Sequence, residues 1–199
     1  MGELFEKGTY TAQYGETGAL IAMDEYIIGR TSDGFKIQSN NNIFGQNGFR
    51  QLAEIEVDDQ WMMQRLHIAV VDKNIELNAN FDNGSVRIIQ SHEQKEVSKL
   101  IPLQFSQYIF IYNGALVIPT VWLRGFDFNS FEKTQYQLLP AGMAEVKQIK
   151  QTNESDRLHF SLNLQVNGIT DIVNITTDYA GKVILYESAL SKLRIKPQL

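Results

Sequence analysis

Arg157-Leu158-His159-Phe160-Ser161-Leu162-Asn163-Leu164-Gln165-Val166, followed by Asn167-Gly168, decides the fold class. From Leu158 to Val166 every second residue is apolar and those between are polar, the period-two pattern of a strand with one buried and one wet face. Asn-Gly supplies the positive φ angles of a tight type I′ turn, so the spacing predicts that Ile169 to Thr177 returns antiparallel. Asp178 to Gly181 turns the chain again, into Lys182 to Tyr186.

Working outward, the first half repeats this grammar. Glu25 to Arg30, a Ser32-Asp33-Gly34 turn, Phe35 to Ser39 and Phe49 to Val57 read as strands, as do Met63 to Val71, Ile75 to Phe81 and Val86 to Gln90 across Asp72-Lys73-Asn74 and Asp82-Asn83-Gly84 turns. About a dozen strands are expected, well beyond the usual four to six of one open sheet, so the sheet must curl, close or split. Laid on 162–178, residues 66–82 match at Leu66, Ile68, Val70, Leu77 and Asp82 against Leu162, Leu164, Val166, Val173 and Asp178. That is either an internal duplication or the shared grammar of two meanders.

The middle of the chain departs from the pattern. Val97, Leu100, Ile101, Phe105, Tyr108, Ile109 and Tyr112 fall at helical spacing, broken by Pro102 early and Asn113-Gly114 late. Ala115 to Gly125 reads as a second short helix interrupted at Pro119, with a buried strand as the alternative. A mostly apolar insert between two meanders packs into the concavity of a curled sheet. The expected architecture is therefore mostly β: a long curved antiparallel sheet, a half-barrel or barrel-like roll, enclosing a short helical insert. Residues 1–199 read as one domain, with a first meander at 8–91, the insert at 92–127 and a second meander at 128–190.

Composition narrows the partners. Of 199 residues 43% are hydrophobic and 21% charged, as in one globular domain, and the net charge of −5 repels a phosphate backbone, so nucleic acid is not an expected partner. With no cysteine there is no disulfide, thiolate metal site or cysteine nucleophile. Met1 to Tyr14 lacks a leader-like apolar run, so the chain reads as cytoplasmic or already trimmed. The most apolar stretch, Ile109 to Leu123, is shorter than the roughly 20 residues of a membrane span and contains Asn113, Gly114 and Pro119.

A long meander, a central apolar insert and a second meander ending in Asp178-Tyr179-Ala180-Gly181-Lys182-Val183, with Glu25-Tyr26-Ile27-Ile28, Arg30 and Asp33-Gly34 early on, resemble bacterial lipoprotein-localisation factors and related glycolipid-binding half-barrel proteins. The resemblance implies a curved sheet wrapped around short helices, with an apolar groove able to accept acyl chains. No lipid-contacting motif of that group is matched residue by residue.

Enzymatic signatures are absent: there is no G-x-S-x-G, phosphate loop, H-E-x-x-H or G-x-G-x-x-G. His67 and His159 fall on the polar faces of their strands, and His92 lies apart from both. Glu54, Glu56 and Asp58 share one face at two-residue steps, alternating toward solvent rather than into an apolar pocket that would raise a pKa. The aromatics carry more. Trp and Tyr join an apolar body to a polar tip, and two Trp, eight Tyr and eleven Phe accompany the insert. In Val121-Trp122-Leu123-Arg124-Gly125-Phe126, Trp122 and Phe126 suit an acyl or aromatic body and Arg124 a carboxylate or phosphate head; alternatively Trp122 is core and Arg124 favours a helix C-terminus. The expected ligand-binding set is Trp61, Phe105, Tyr108, Tyr112, Trp122, Arg124, Phe126 and Tyr136. The function read from it is noncatalytic binding of a lipid-like or other apolar small ligand, with no cofactor and no metal, in a cavity of about 300 Å³ or more. A protein-interaction module with a filled core is the alternative, its protein partner left open, and a hydrolase built on His67 or His159 with a carboxylate is a third.

Overall fold

The computed structural model describes residues 3–82, 85–93, 95–102, 116–124, 134–138, 142–154, 156–166 and 169–198. The first run of strands is β1 (Leu4–Tyr14), β2 (Leu20–Arg30), β3 (Gly34–Ile43), β4 (Phe49–Asp58), β5 (Met63–Val70), β6 (Ile75–Asp82), β7 (Ser85–His92) and β8 (Lys95–Pro102). The helix α1 (Ile118–Arg124) follows, then β9 (Thr134–Leu138), β10 (Gly142–Glu154), β11 (Arg157–Val166), β12 (Ile169–Thr177), β13 (Val183–Ser188) and β14 (Leu193–Pro197). All fourteen strands form one antiparallel sheet, which is curled and unclosed, in the order β8-β7-β6-β5-β4-β3-β2-β1-β14-β13-β12-β11-β10-β9.

The order has a simple logic. Strands consecutive in sequence pair with each other, except β8 and β9, and β1 pairs also with β14, Tyr10 facing Pro197 and Tyr14 facing Leu193. The first and last strands thus meet in mid-sheet, and the chain between β8 and β9 must travel from one edge of the sheet to the other. Alternation sends one set of side chains to a common inner face, where Tyr10, Ile28, Ile37, Ile55, Leu66, Ile68, Val86, Phe160, Val173, Ile175 and Ile195 are buried. Leu116, Val117, Val121 and Leu123 of α1 and its approach join the same core.

Two expectations about the insert meet the structure differently. The helical stripe expected from Val97 is not there: residues 95–102 form strand β8, paired along its length with β7. After Glu93, which adopts a left-handed conformation at φ 46°, the chain folds straight back, and its backbone groups find partners on β7 that a lone short helix could not match. In a strand Val97 and Leu100 fall on opposite faces, and both are exposed, so their spacing never marked a buried side. The second helix does form, at Ile118–Arg124, and Pro119 sits in its first turn, where no backbone N–H is missed, so it starts the helix rather than interrupting it. Residues 103–115 lie outside the described residues, and with them the stripe's remaining positions.

Gly34 opens β3 opposite Asp58 with φ at +146°, and a Cβ there would stand 2.1 Å from the Val57 carbonyl oxygen. Gly18 also has positive φ, at +68°, but faces open space. Gly34→Ala is therefore expected to lower unfolding free energy by at least about 2 kcal/mol and Gly18→Ala by about 1 kcal/mol, a difference read by urea denaturation of the two variants.

Candidate functional site

The site grows from the inner positions of the two central strands. β1 turns Glu6, Gly8 and Tyr10 inward, and β2 turns Asp24, Tyr26 and Ile28 inward, with Gly8 facing Tyr26 and Tyr10 facing Asp24 across the ladder. Gly8 is required there, because a Cβ would meet the Tyr26 ring at 2.8–3.0 Å. The ring lies across that gap, so its hydroxyl donates to Glu6 Oε1 at 2.6 Å while its face stacks on Tyr10 at 5.3 Å.

Helix α1 is fixed onto these strands at both ends and in the middle. At its approach, the Val117 N–H donates to Asp24 Oδ2 at 3.1 Å, and Ser39 donates to Asp24 Oδ1 at 2.5 Å. In the middle, Thr120 Oγ1 sits 2.5 Å from the Tyr10 hydroxyl and accepts the Val183 N–H at 3.1 Å, while Tyr10 donates to the Val183 carbonyl. At the last turn Arg124, whose side chain is only 5% exposed, places Nη2 2.5 Å from Glu6 Oε2, and Lys182 reaches Glu6 Oε1 at 3.1 Å. The β12–β13 turn provides the other wall: Asp178 Oδ1 accepts the Lys182 N–H, and Gly181, at φ +81°, lets the turn approach so closely that a Cβ would stand 2.9 Å from Arg124 Cγ.

Aromatic rings cover the guanidinium. Trp61 stands in the β4–β5 turn at φ 64°, held there by its N–H to the Asp58 carbonyl and by Asp58 Oδ1 accepting from Gln60 and Met62. It stacks on Phe35 at 4.3 Å, and the Arg124 guanidinium carbon lies 4.7 Å from its ring centre and 5.8 Å from that of Phe5. The cation is desolvated, paired and stacked, yet its Nε and Nη1 have no hydrogen-bond partner among the described residues.

Beside Arg124 lies a cavity of about 220 Å³ lined by Leu123, Leu158, Phe160, Thr177, Tyr179, Ala180 and Gly181. Thr177 is fully buried in that wall, its hydroxyl without a partner among the described residues. This volume is below the 300 Å³ expected for a ligand space, and well below the roughly 1,000 Å³ at the upper end of small-molecule sites. A second hollow of about 750 Å³ lies at the sheet rim among Asp33, Lys36, Glu56, Arg65, Asp82 and Arg87, more polar and more open.

Of the residues expected from sequence to bind ligand, the structure brings Trp61 and Arg124 together, the guanidinium stacked on the indole and paired with Glu6. Trp122 lies in α1 and Tyr136 in β9. Phe105, Tyr108, Tyr112 and Phe126 lie outside the described residues. The histidines are not gathered: His67 on β5 faces Glu54 of β4, and His159 on β11 bonds Thr176 of β12 at 3.0 Å, on opposite halves of the sheet. Glu54 and Glu56 pair with Lys36 on the outer face, and bonds from Gln38 and Lys36 hold the Glu54 carboxyl below its ordinary range. No group of three or more potential ligands could hold a metal ion among the described residues. Nor is any helix among them long and apolar enough to cross a membrane. Sequence reading missed Glu6, Asp24, Thr177 and Lys182. A signal existed for Asp24, an acid in phase with the inward Ala22, Tyr26 and Ile28, and for Thr177, in phase with Val173 and Ile175.

The backbone is that of a β-barrel-like protein. The chain aligns with the crystal structure of a β-barrel-like protein of the domain of unknown function DUF1849 from Brucella abortus, at TM-score 0.53 and 9% identity over 99% of this chain and 96% of that one. It also aligns, at TM-score 0.45 and 10% identity over 81% and 87%, with a DUF1089 family protein from Pseudomonas aeruginosa. No protein-family profile and no curated protein matches the chain. The half-barrel expectation holds as a fold; no lipoprotein-localisation or glycolipid-binding family is shown.

Two carboxyls in this site pull the pH dependence of stability in opposite senses. Burial pushes the Asp24 carboxyl up to about 6, against bonds from Ser39, Val117 and Leu116. Burial also raises Glu6, but Tyr26, Arg124 and Lys182 more than offset it and hold it below its ordinary range. Asp24 in the folded state holds its proton to higher pH than the unfolded chain, so its contribution is present at low pH and lost as pH rises through about 6, by roughly 2–3 kcal/mol. The Glu6 contribution runs the other way and is lost as pH falls. Asp24→Asn, which can still accept from Val117 and donate to Ser39, is expected to remove the decline between about pH 4 and 7 and to be more stable than the parent at pH 8. Urea denaturation across that range checks it.

Proposed function

We propose that the chain is a noncatalytic binder of a small, lipid-like apolar ligand, seated between the curled sheet and α1. The observation that carries this reading is the cavity beside Arg124, whose wall combines Leu123, Leu158 and Phe160 with two buried polar side chains, Arg124 and Thr177, not fully bonded among the described residues. A well-packed core seldom leaves such groups unbonded, whereas a site for a half-oily molecule needs an apolar wall and a few polar anchors. Its size suits a small body, since an apolar cavity of about 150 Å³ already takes up benzene. On this reading Phe105, Tyr108, Tyr112, Trp122, Phe126 and Tyr136 are further aromatic contacts along the groove, and Trp61 is the lid over Arg124.

A second reading, a protein-interaction module, is favoured by a shallow hollow of about 330 Å³ on the outer face, where Ile27 and Leu52 are exposed. A solution mass above one chain that Leu52→Glu returns to one chain is the result that supports it.

The binding reading is checked by native mass spectrometry of the purified chain and by titration with a fluorescent fatty acid. The expected result is saturable, displaceable binding that Leu158→Trp, which fills the cavity, weakens at least tenfold with an unchanged far-ultraviolet spectrum. Neither bound mass nor saturable fluorescence would overturn it.

A further inference from the structure

Resting on that reading, we propose that the cavity beside α1 is a subsite for the anionic head of its ligand: a small monocarboxylate whose tail lies on Leu123, Leu158 and Phe160 and whose head is held by Arg124 and Thr177. Three observations converge on it. Residues Arg124 and Thr177 both line this cavity, and both side chains are nearly or fully buried. Both carry hydrogen-bonding capacity unused among the described residues, at Arg124 Nε and Nη1 and Thr177 Oγ1, while Arg124 Nη2 is engaged by Glu6. The local charge also leaves room for an anion: Arg124 and Lys182 together face the single carboxylate of Glu6, and Asp178, the acid of the adjoining turn, has one oxygen committed to the Lys182 N–H.

An apolar wall alone would take a hydrocarbon or an alcohol as readily as an acid. A desolvated guanidinium whose Nε and Nη1 are unbonded among the described residues does not, because a charge-assisted bond to a carboxylate is about twice as strong as a neutral one. Gly181 contributes by lacking a side chain: any other residue there would press on Arg124 and fill the space.

The test compares sodium hexanoate with 1-hexanol, matched in tail and differing in head, by calorimetric titration of the full chain. Hexanoate is expected to bind at least about tenfold more tightly, and the ratio is expected to fall toward one in Thr177→Val, which removes the hydroxyl at constant volume. Arg124→Lys, which keeps the charge near Glu6 but loses the planar donors, is expected to lower the ratio as well. Equal binding of both probes, or a ratio unmoved in Thr177→Val, overturns the anionic head and leaves the apolar-ligand reading standing. Saturable binding of the fluorescent fatty acid with no hexanoate binding places the ligand elsewhere and also overturns it. Failure of all three probes to bind removes the reading beneath it.

Discussion

The ladder between β1 and β14 is the constraint on which the rest of the molecule depends. It makes the first and last strands neighbours in the middle of one sheet, so the two edge strands, β8 and β9, are joined only through the insert. A sheet of fourteen strands twists and coils too much to stay flat, and its inner face offers the apolar surface an insert can bury. The helix α1 docks where Tyr10, Asp24 and Val183 come within reach, on β1, β2 and the start of β13. The same ladder brings the β12–β13 turn close to β1, which is how Lys182 and Glu6, far apart in sequence, come to share an ion pair.

Seating polar groups in that bowl has a cost, and the structure offsets it locally. A row of inward polar side chains runs directly across the ladder from Tyr10 to Asp24, Asn41 and Gln51, each nearly or fully buried. Asp24 is stabilised there by donors from Ser39 and the backbone before α1, so this member of the row anchors the helix. At the other end of α1 the desolvated Arg124 is balanced by Glu6 and by the Trp61 ring. A helix of seven residues has little stability of its own, and these contacts, together with Leu116, Val117, Val121 and Leu123, hold it in place.

Most of the sheet was legible because strand alternation is written in every second residue. Arg157 to Val166 and Ile169 to Thr177 form paired strands, and the Asp72-Lys73-Asn74 turn has Asn74 in the left-handed conformation a reversal needs. The reading failed where a spacing rule met a short segment. Val97, Leu100 and Ile101 satisfy a helical stripe and a strand equally well over eight residues, and only the pairing with β7 decides between them, which no local pattern contains. The site was half legible. Trp61 and Arg124 stood out by chemistry, but their meeting depends on a turn in the first half and a helix in the middle. Glu6 and Lys182 look like surface charges until the ladder folds them onto Arg124.

The likeness to a β-barrel-like protein at 9% identity sharpens what fold and site each require. A curled sheet needs only apolar residues on one face, turn chemistry between strands and somewhere for the edges to go, and very different sequences meet those demands. The contacts around α1 are of another kind. Gly8 is set by the thickness of the Tyr26 ring, Gly181 by the position of Arg124, and Trp61 by a turn that forces a bulky residue to positive φ. Strain of that sort persists only where surrounding structure over-determines it, and here it lies over a buried guanidinium whose Nε and Nη1 the described residues leave unbonded. On the binding reading proposed above, that coincidence puts the ligand at the Arg124 corner of the bowl rather than across the bowl as a whole.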